Sequence, residues 1–216
     1  MFLTLIFLYP CLLWAEGKHS HKIIVSGKAS RYLDAIEIVS KDRKPWGEDT
    51  TIKKVSGKSV RVELGLGEAI AKLIILHPKK GNAYQFRIEQ QYETSISLMD
   101  AGPHMDLLNW KHYLSEWNIL QSVAKHSFVS KEVTSNKFPD VTRAEIIQAT
   151  KEQSALWVRD GYDPGDRWVK LARKCKSPTD YPSGVSISKV VLRISIKIGN
   201  DWKEISKIDF IVPMGC

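Results

Sequence analysis

Four side chains between positions 104 and 116 have the types and spacing that could support catalysis or metal binding. They are His104, Asp106, His112 and Glu116, within a stretch from Met99 to Trp117 that also contains two tryptophans and a Gly-Pro break. Imidazole nitrogens and carboxylate oxygens bind divalent metals, and the same groups exchange protons near neutral pH. One hypothesis is therefore a small exported hydrolase, either metal-dependent or using these residues as general acid and base.

The competing interpretation of the same four residues is local hydrogen bonding. Their spacing matches no established zinc motif, and a His-x-Asp pair or a His-x-x-x-Glu pair often arises by chance. Nucleophile elbows, phosphate-cradling loops and dinucleotide fingerprints are absent from the sequence. An acidic turn from Asp160 to Asp166 lacks the ligand pattern of a helix-loop-helix calcium site. The sequence therefore favours a protein that has no cofactor and is not an enzyme.

A strand pattern gives way to a helical pattern around these residues. Gly102 can adopt a positive φ angle and Pro103 cannot continue a strand ladder, so the two predict a turn. Beyond the turn, Asp106 can cap a helix whose apolar residues recur at intervals of three and four: Leu107, Trp110, Leu114, Trp117 and Leu120. This pattern predicts that both tryptophans lie in the core. It also predicts that His112 and Glu116 share one face of the helix.

A row of basic residues near the C-terminus is the second candidate site. Lys189, Arg193 and Lys197 alternate with apolar residues on the outgoing strand of a predicted hairpin. Such a row can receive an acidic partner, although a solvated sheet face is the plain alternative. Trp46, in a polar loop, is a candidate aromatic anchor for the same partner, and the surface around His104, Asp106 and His112 is an alternative contact region.

The net charge of the chain points to an anionic partner. The formal charge is +8, and the first fifteen residues contribute none of it. An acidic protein in the cell envelope is the leading expectation, with an anionic envelope polymer or lipid head groups as alternatives. Nucleic acid is not expected, because the chain carries no recognition motif for it and is predicted to be exported.

The N-terminus resembles a secretory signal. Residues 1–15 are almost wholly apolar and end at Ala15, although a positive start is lacking. This segment is too short to span a membrane. After its removal, no transmembrane segment is expected in the rest of the chain. Pro10 argues against lipidation of Cys11, because it stands where a lipoprotein generally carries a small residue. A periplasmic or secreted protein is predicted, with residues 16–216 forming one domain.

Alternation of apolar and polar residues predicts most of the strands. The clearest pattern runs from Tyr84 to Leu98, with a bend expected at Gln90, the polar residue on the apolar side. Arg87, Glu89 and Glu93 share the opposite side, which is read as a solvated face. Further strands are expected at residues 22–26, 32–39, 60–64 and 71–76, and in a hairpin that turns at residues 199–201.

Two helices are predicted after residue 140. Thr142 and Glu145 have the spacing of a capping box, and Asp166 can cap a short helix from Arg167 to Lys174. These elements favour an α+β fold in which one mostly antiparallel sheet is covered on one side by a helical and loop segment, about residues 100–181. In size and export the chain resembles small exported bacterial binding proteins and toxin-neutralising immunity proteins, with no motif to strengthen the likeness.

A disulfide between Cys175 and Cys216 is predicted, because these are the two cysteines left after removal of the leader and the chain is expected in an oxidising compartment. Closing this loop would stabilise the fold by about 4 kcal/mol. Alkylation of native, exported protein followed by intact-mass measurement should therefore modify neither thiol until a reductant is added. Two thiols alkylated without reductant would contradict the prediction.

Overall fold

The computed structural model describes residues 20–24, 27–40, 47, 49–55, 58–68, 70–81, 83–134 and 137–214. The predicted leader, Trp46 and Cys216 lie outside this range. In the described residues the chain is predominantly β, with two α-helices, and the strands form two sheets. The prediction of a single sheet is therefore wrong. Periodicity identifies strands and their buried sides, but it does not say which strands pair.

The smaller sheet has five strands, each antiparallel to its neighbours. Its order is β1 (Ser20–Ile24), β2 (Leu33–Ser40), β5 (Ala71–Pro78), β11 (Ser127–Val129) and β10 (Gln121–Ala124). A short 3-10 helix at Ala29–Arg31 lies between the first two strands. Ile74 and Leu76 of β5 are fully buried, whereas Lys72 on the same strand is exposed.

The larger sheet has eight strands and is mostly antiparallel. Its main order is β3 (Thr51–Lys54), β4 (Ser59–Glu63), β13 (Asp201–Ile211), β12 (Ser183–Ile198), β6 (Phe86–Met99) and β7 (His104–Asp106). Two short strands also pair with β6, namely β8 (Tyr113–Leu114) and β9 (Asn118–Ile119). The β4–β13 pair is parallel, and the β12–β13 hairpin was predicted correctly.

The two sheets pack face to face over part of their length. Ile36 and Ile74 of the smaller sheet join Ile88, Leu192 and Phe210 of the larger sheet in one buried cluster. We call the face of the larger sheet that contributes these residues its inner face. Because side chains alternate along a strand, the intervening residues of β6, β12 and β13 lie on the opposite, outer face.

A second apolar cluster lies on the same inner face, where the helices cover the sheet. Ile96 and Leu98 of β6 pack there with Ile146 of helix α1 (Arg143–Arg159) and Trp168 of helix α2 (Arg167–Ala172). Both helices thus cover one side, as predicted, although they are a minor part of a predominantly β chain. Cys175 is also buried in this cluster, and its thiol is free. Cys216, the predicted partner, lies outside the described residues. The structure therefore does not support the disulfide, which stays a prediction.

The helix predicted from Asp106 is wrong. Residues 104–106, 113–114 and 118–119 instead form short antiparallel strands along β6. The open edge of a fourteen-residue strand offers unpaired amide and carbonyl groups, and these three segments satisfy many of them. The apolar residues spaced at three and four do not form one buried stripe either, because Leu107 is buried whereas Leu114 is 57% exposed.

The bend predicted at Gln90 is also not observed. The register of β6 with β12 runs without a break through Gln90, and the irregularity lies in β12 between Ile187 and Lys189. Gln90 remains on the inner face because its side-chain amide donates to the carbonyl of Lys131 and accepts from the Lys131 N–H, at 2.8 and 3.1 Å. A buried polar side chain is tolerated when its hydrogen bonds are made.

The capping box of α1 is confirmed and is joined to the preceding loop. The Thr142 hydroxyl accepts from the Glu145 N–H, and Glu145 accepts from the Thr142 N–H. The Lys111 ammonium also donates to Glu145 at 2.6 Å. Asp166 precedes α2 but makes no side-chain capping bond, and it pairs with Lys170 at 2.8 Å instead.

These contacts predict how stability depends on pH. The hydrogen bonds from Lys111 and Thr142 lower the pKa of Glu145 from 4.5 to about 2. A lowered pKa gives stability that is present above pH 4.5 and is lost as the pH falls through about 2. The Glu145→Gln variant should therefore be less stable than the wild type near pH 7, and the difference should disappear between these two pH values. Glu152→Gln in the same helix is the matched control, and urea unfolding measures both; a difference that is independent of pH would contradict the prediction.

Candidate functional site

The outer face of β12 carries the predicted basic row. Lys189, Arg193 and Lys197 lie on this face, since they alternate with residues of the inner core such as Val190 and Leu192. The neighbouring strand β6 presents its own polar side there, with Lys189 opposite Glu93 and Arg193 opposite Glu89. Basic residues of β12 therefore lie opposite acidic residues of β6 on the outer face of the sheet.

Two of the three basic residues are paired with carboxylates. The Arg193 guanidinium donates two hydrogen bonds to Glu89, at 3.0 and 3.1 Å. The Lys189 ammonium lies 4.0 Å from Glu93, whereas Lys197, near the hairpin turn, is exposed. Glu89 is only 7% exposed, so this side of β6 is not the simple solvated face that alternation suggested. Bidentate arginine–carboxylate pairs fix geometry, and here the pair locks two strands in register.

Tryptophans lie at both ends of this ion-pair network. The Arg193 guanidinium lies 4.2 Å from the Trp117 ring centroid, and that of Arg87 lies 4.8 Å from the Trp202 centroid. Arg87 also contacts the Glu89 carboxylate at 3.3 Å. The five residues form a continuous row across the outer face, which we call the Trp–Arg row: Trp202, Arg87, Glu89, Arg193 and Trp117. Cation–π contacts and ion pairs hold its side chains in defined positions.

Exposed aliphatic residues lie beside this row. Leu114 and Ile119 are opposite Glu93 and Glu89 in the sheet, so both lie on the outer face, where they are 57% and 65% exposed. Sequence reasoning missed them, because Leu114 was assigned to the apolar stripe of a helix. Trp117 was assigned there as well. Of the two tryptophans predicted in the core, Trp110 packs as predicted, against the cluster under the helices, and Leu107 and Leu120 of the same pattern are buried as well.

His112 contacts groups on the outer face that resemble parts of a catalytic triad. Its Nδ1 lies 3.3 Å from the Ser95 hydroxyl and 3.7 Å from the Glu93 carboxylate. Both contacts are to the same ring nitrogen, whereas a triad uses one nitrogen for the nucleophile and the other for the carboxylate. Ser95 is also fully buried and donates to Ser188 at 2.8 Å. This geometry does not present a nucleophile to a substrate.

The other predicted catalytic residues are distributed over separate places. His104 and Asp106 form a pair, with Nδ1 2.8 Å from the carboxylate. Burial raises the pKa of Asp106, and the hydrogen bond and charge of His104 oppose that change. Glu116 lines a cleft on the inner side of β6. Among the described residues no three His, Cys, Asp or Glu side chains gather closely enough to hold a metal ion.

Comparisons of the chain with protein-family models, with curated proteins and with solved structures each found no match. In the part of the chain that the structure describes, no helix is both long enough and apolar enough to cross a membrane. The Trp–Arg row and its exposed neighbours therefore have to be interpreted from their own geometry.

Replacing Glu89 tests whether the Trp–Arg row is held by its central carboxylate. Glu89→Gln keeps the side-chain shape but leaves two guanidinium groups without their counter-charge, so we expect a loss of about 1–3 kcal/mol of unfolding free energy. The exposed Glu204 of β13 provides the control, because Glu204→Gln should change stability by less than about 0.5 kcal/mol. Urea unfolding measures both, and equal stability of the two variants would contradict the assignment.

Proposed function

We propose that this protein is exported and acts without catalysis, by binding an acidic protein surface in the cell envelope through the outer face of the larger sheet. An immunity or inhibitor protein, which neutralises a toxin or an envelope enzyme by contact, is the class that fits best. The observation that carries the proposal is the Trp–Arg row with exposed Leu114 and Ile119 beside it. Tryptophan and arginine are the residues that most often dominate binding energy at protein interfaces.

The fixed positions of the side chains in the Trp–Arg row support this proposal. Arg193 and Arg87 are each held by Glu89 on one side and by a tryptophan on the other. Side chains that are already fixed lose little conformational entropy when a partner binds. Leu114 and Ile119 beside the row can then be desolvated without leaving unpaired charges.

Charge supports an acidic partner. The chain carries a formal charge of +8, and Lys197 is exposed at the end of the outer face. Complementary charge accelerates association and depends on ionic strength. Anionic envelope polymers or lipid head groups would share this electrostatic attraction, but they would not need the apolar residues Leu114 and Ile119. The hydrolase alternative is supported by no comparable arrangement, since its four residues do not converge.

Capture from an envelope extract tests the proposal when it is done with matched variants. Leu114→Asp combined with Ile119→Asp places charge on the outer face, and Ile24→Asp combined with Val158→Asp places the same charge at similarly exposed sites elsewhere. We expect wild type and the control to retain one specific acidic protein that the outer-face variant loses. With that protein purified, the outer-face variant should bind at least about tenfold more weakly, because truncating interface anchors costs more than about 1 kcal/mol each.

Association kinetics test whether positive charge on the outer face accelerates binding of the partner. Lys197→Glu should slow association severalfold at low salt while leaving thermal stability unchanged, because an exposed charge contributes little to folding. Equal capture by the outer-face variant, or capture of nothing across several salt concentrations, would contradict the proposal.

A further inference from the structure

A gap in the apolar cover lies on the inner face of the larger sheet. Along β6, Ile88 belongs to the cluster between the sheets and Ile96 belongs to the cluster under the helices. The inner-face residues between them are Gln90, Tyr92 and Thr94, of which Gln90 and Thr94 are buried polar residues. Tyr92 packs against the cluster between the sheets, so this polar run marks the boundary between the two apolar clusters.

Two points of the chain are fastened to β6, one on each side of Tyr92. The Gln90 amide makes two hydrogen bonds with the backbone of Lys131, and the Thr94 hydroxyl donates to the carbonyl of Lys137. Each contact joins a buried side chain of β6 to a backbone group, so the positions of Lys131 and Lys137 are fixed relative to the strand.

Two neighbouring cavities that share lining residues lie here, and together we call them the inner cleft. The polar cavity has a volume of about 400 Å³ and includes Tyr92, Tyr113, Ser115, Glu116, Asn118 and Lys137 in its lining. The apolar cavity has a volume of about 510 Å³ and includes Ile70, Val129, Val133 and Val190. Gln90, Lys131 and Glu132 line both. These sizes fall in the range of small-molecule sites.

We infer that the inner cleft binds a neutral saccharide that carries N-acetyl groups. The two tyrosine rings of the polar cavity lie 5.9 Å apart between centroids, and their planes are tilted by 54°. Aromatic rings of this kind offer an apolar surface with a polar hydroxyl, which suits the alternating C–H and O–H groups of a sugar ring. The Lys137 ammonium lies over the Tyr113 ring, 5.6 Å from its centroid, so a donor stands at the face of this ring.

The polar groups of the cleft favour a ligand rich in hydroxyls over an ion. Hydroxyl groups both donate and accept, and the cleft supplies carboxylate acceptors and ammonium donors in one place, whereas its Gln90 and Asn118 amides are already hydrogen-bonded within the protein. In the polar cavity Lys131 and Lys137 are balanced by Glu116 and Glu132, all four of them exposed, and one further lysine, Lys72, lines the apolar cavity. A phosphate group is normally bound by an excess of cationic donors, which this balance does not provide. A wholly apolar ligand would leave these polar groups desolvated without partners.

The apolar cavity accounts for the N-acetyl groups. It adjoins the polar cavity at Gln90, and its valine and isoleucine side chains can contact an acetamido methyl group while the sugar ring remains against the tyrosines. This inference goes beyond the proposed protein contact and does not depend on it, because the inner cleft and the Trp–Arg row lie on opposite faces of the larger sheet.

Titration of the full chain with tri-N-acetylchitotriose, followed by NMR, tests the inference. We expect saturable shifts in amides that line the inner cleft, with the indole signals of Trp117 and Trp202 unchanged. Maltotriose, which has hydroxyls but no acetamido group, should bind at least about tenfold more weakly. Glu116→Gln removes an acceptor charge at an exposed position and should weaken chitotriose binding about fivefold or more.

Tyr113→Ala should weaken binding by about tenfold, and Tyr162→Ala in the helical region is the matched control that should leave it unchanged. If the Tyr113→Ala variant does not fold, the Glu116→Gln variant still tests whether the inner cleft binds the saccharide. The inference is overturned by absence of chitotriose binding up to about 10 mM, by equal binding of maltotriose, or by wild-type affinity in Glu116→Gln.

Discussion

Antiparallel pairing between β6 and β12 is the contact on which the rest of the structure depends. It is a long pairing, running from Ser183 opposite Leu98 to Ile196 opposite Phe86. Each strand carries apolar residues on one side and polar residues on the other, so one pairing builds two different surfaces. The inner surface receives the smaller sheet and the helices. The outer surface carries the long polar side chains of both strands, and Trp117 and Trp202 lie against its arginines.

Glu89 determines the character of the outer surface. Its carboxylate contacts Arg193 on the partner strand and Arg87 on its own strand, and each guanidinium rests against a tryptophan. Unpaired lysines and arginines on a sheet face would repel one another, and their side chains would remain mobile. Because Glu89 neutralises the centre of this face, its aromatic and guanidinium groups are ordered, while the exposed positive charge of Lys197 remains near the hairpin turn.

The same strand also determines the inner cleft. Where β6 changes from isoleucines to Gln90 and Thr94, these two side chains bond to the backbone at Lys131 and Lys137, and a cavity opens beside Tyr92. A buried polar side chain must be satisfied, and a backbone segment is the partner available there. The two candidate binding surfaces of this protein thus arise from the two sides of one strand.

Local patterns in the sequence determined much of the secondary structure. Alternation located β6, the hairpin turns at residues 199–200, and Thr142 with Glu145 begins α1, because each signal involves residues close along the chain. Placement of Lys189, Arg193 and Lys197 on one face was likewise predictable. Only the tertiary structure decided that 104–119 pairs with an open edge instead of forming a helix, that the strands divide into two sheets, and that Glu89 lies buried between arginines. These outcomes depend on partners far apart in sequence, and the energy of a contact with a distant strand can exceed a local helical preference.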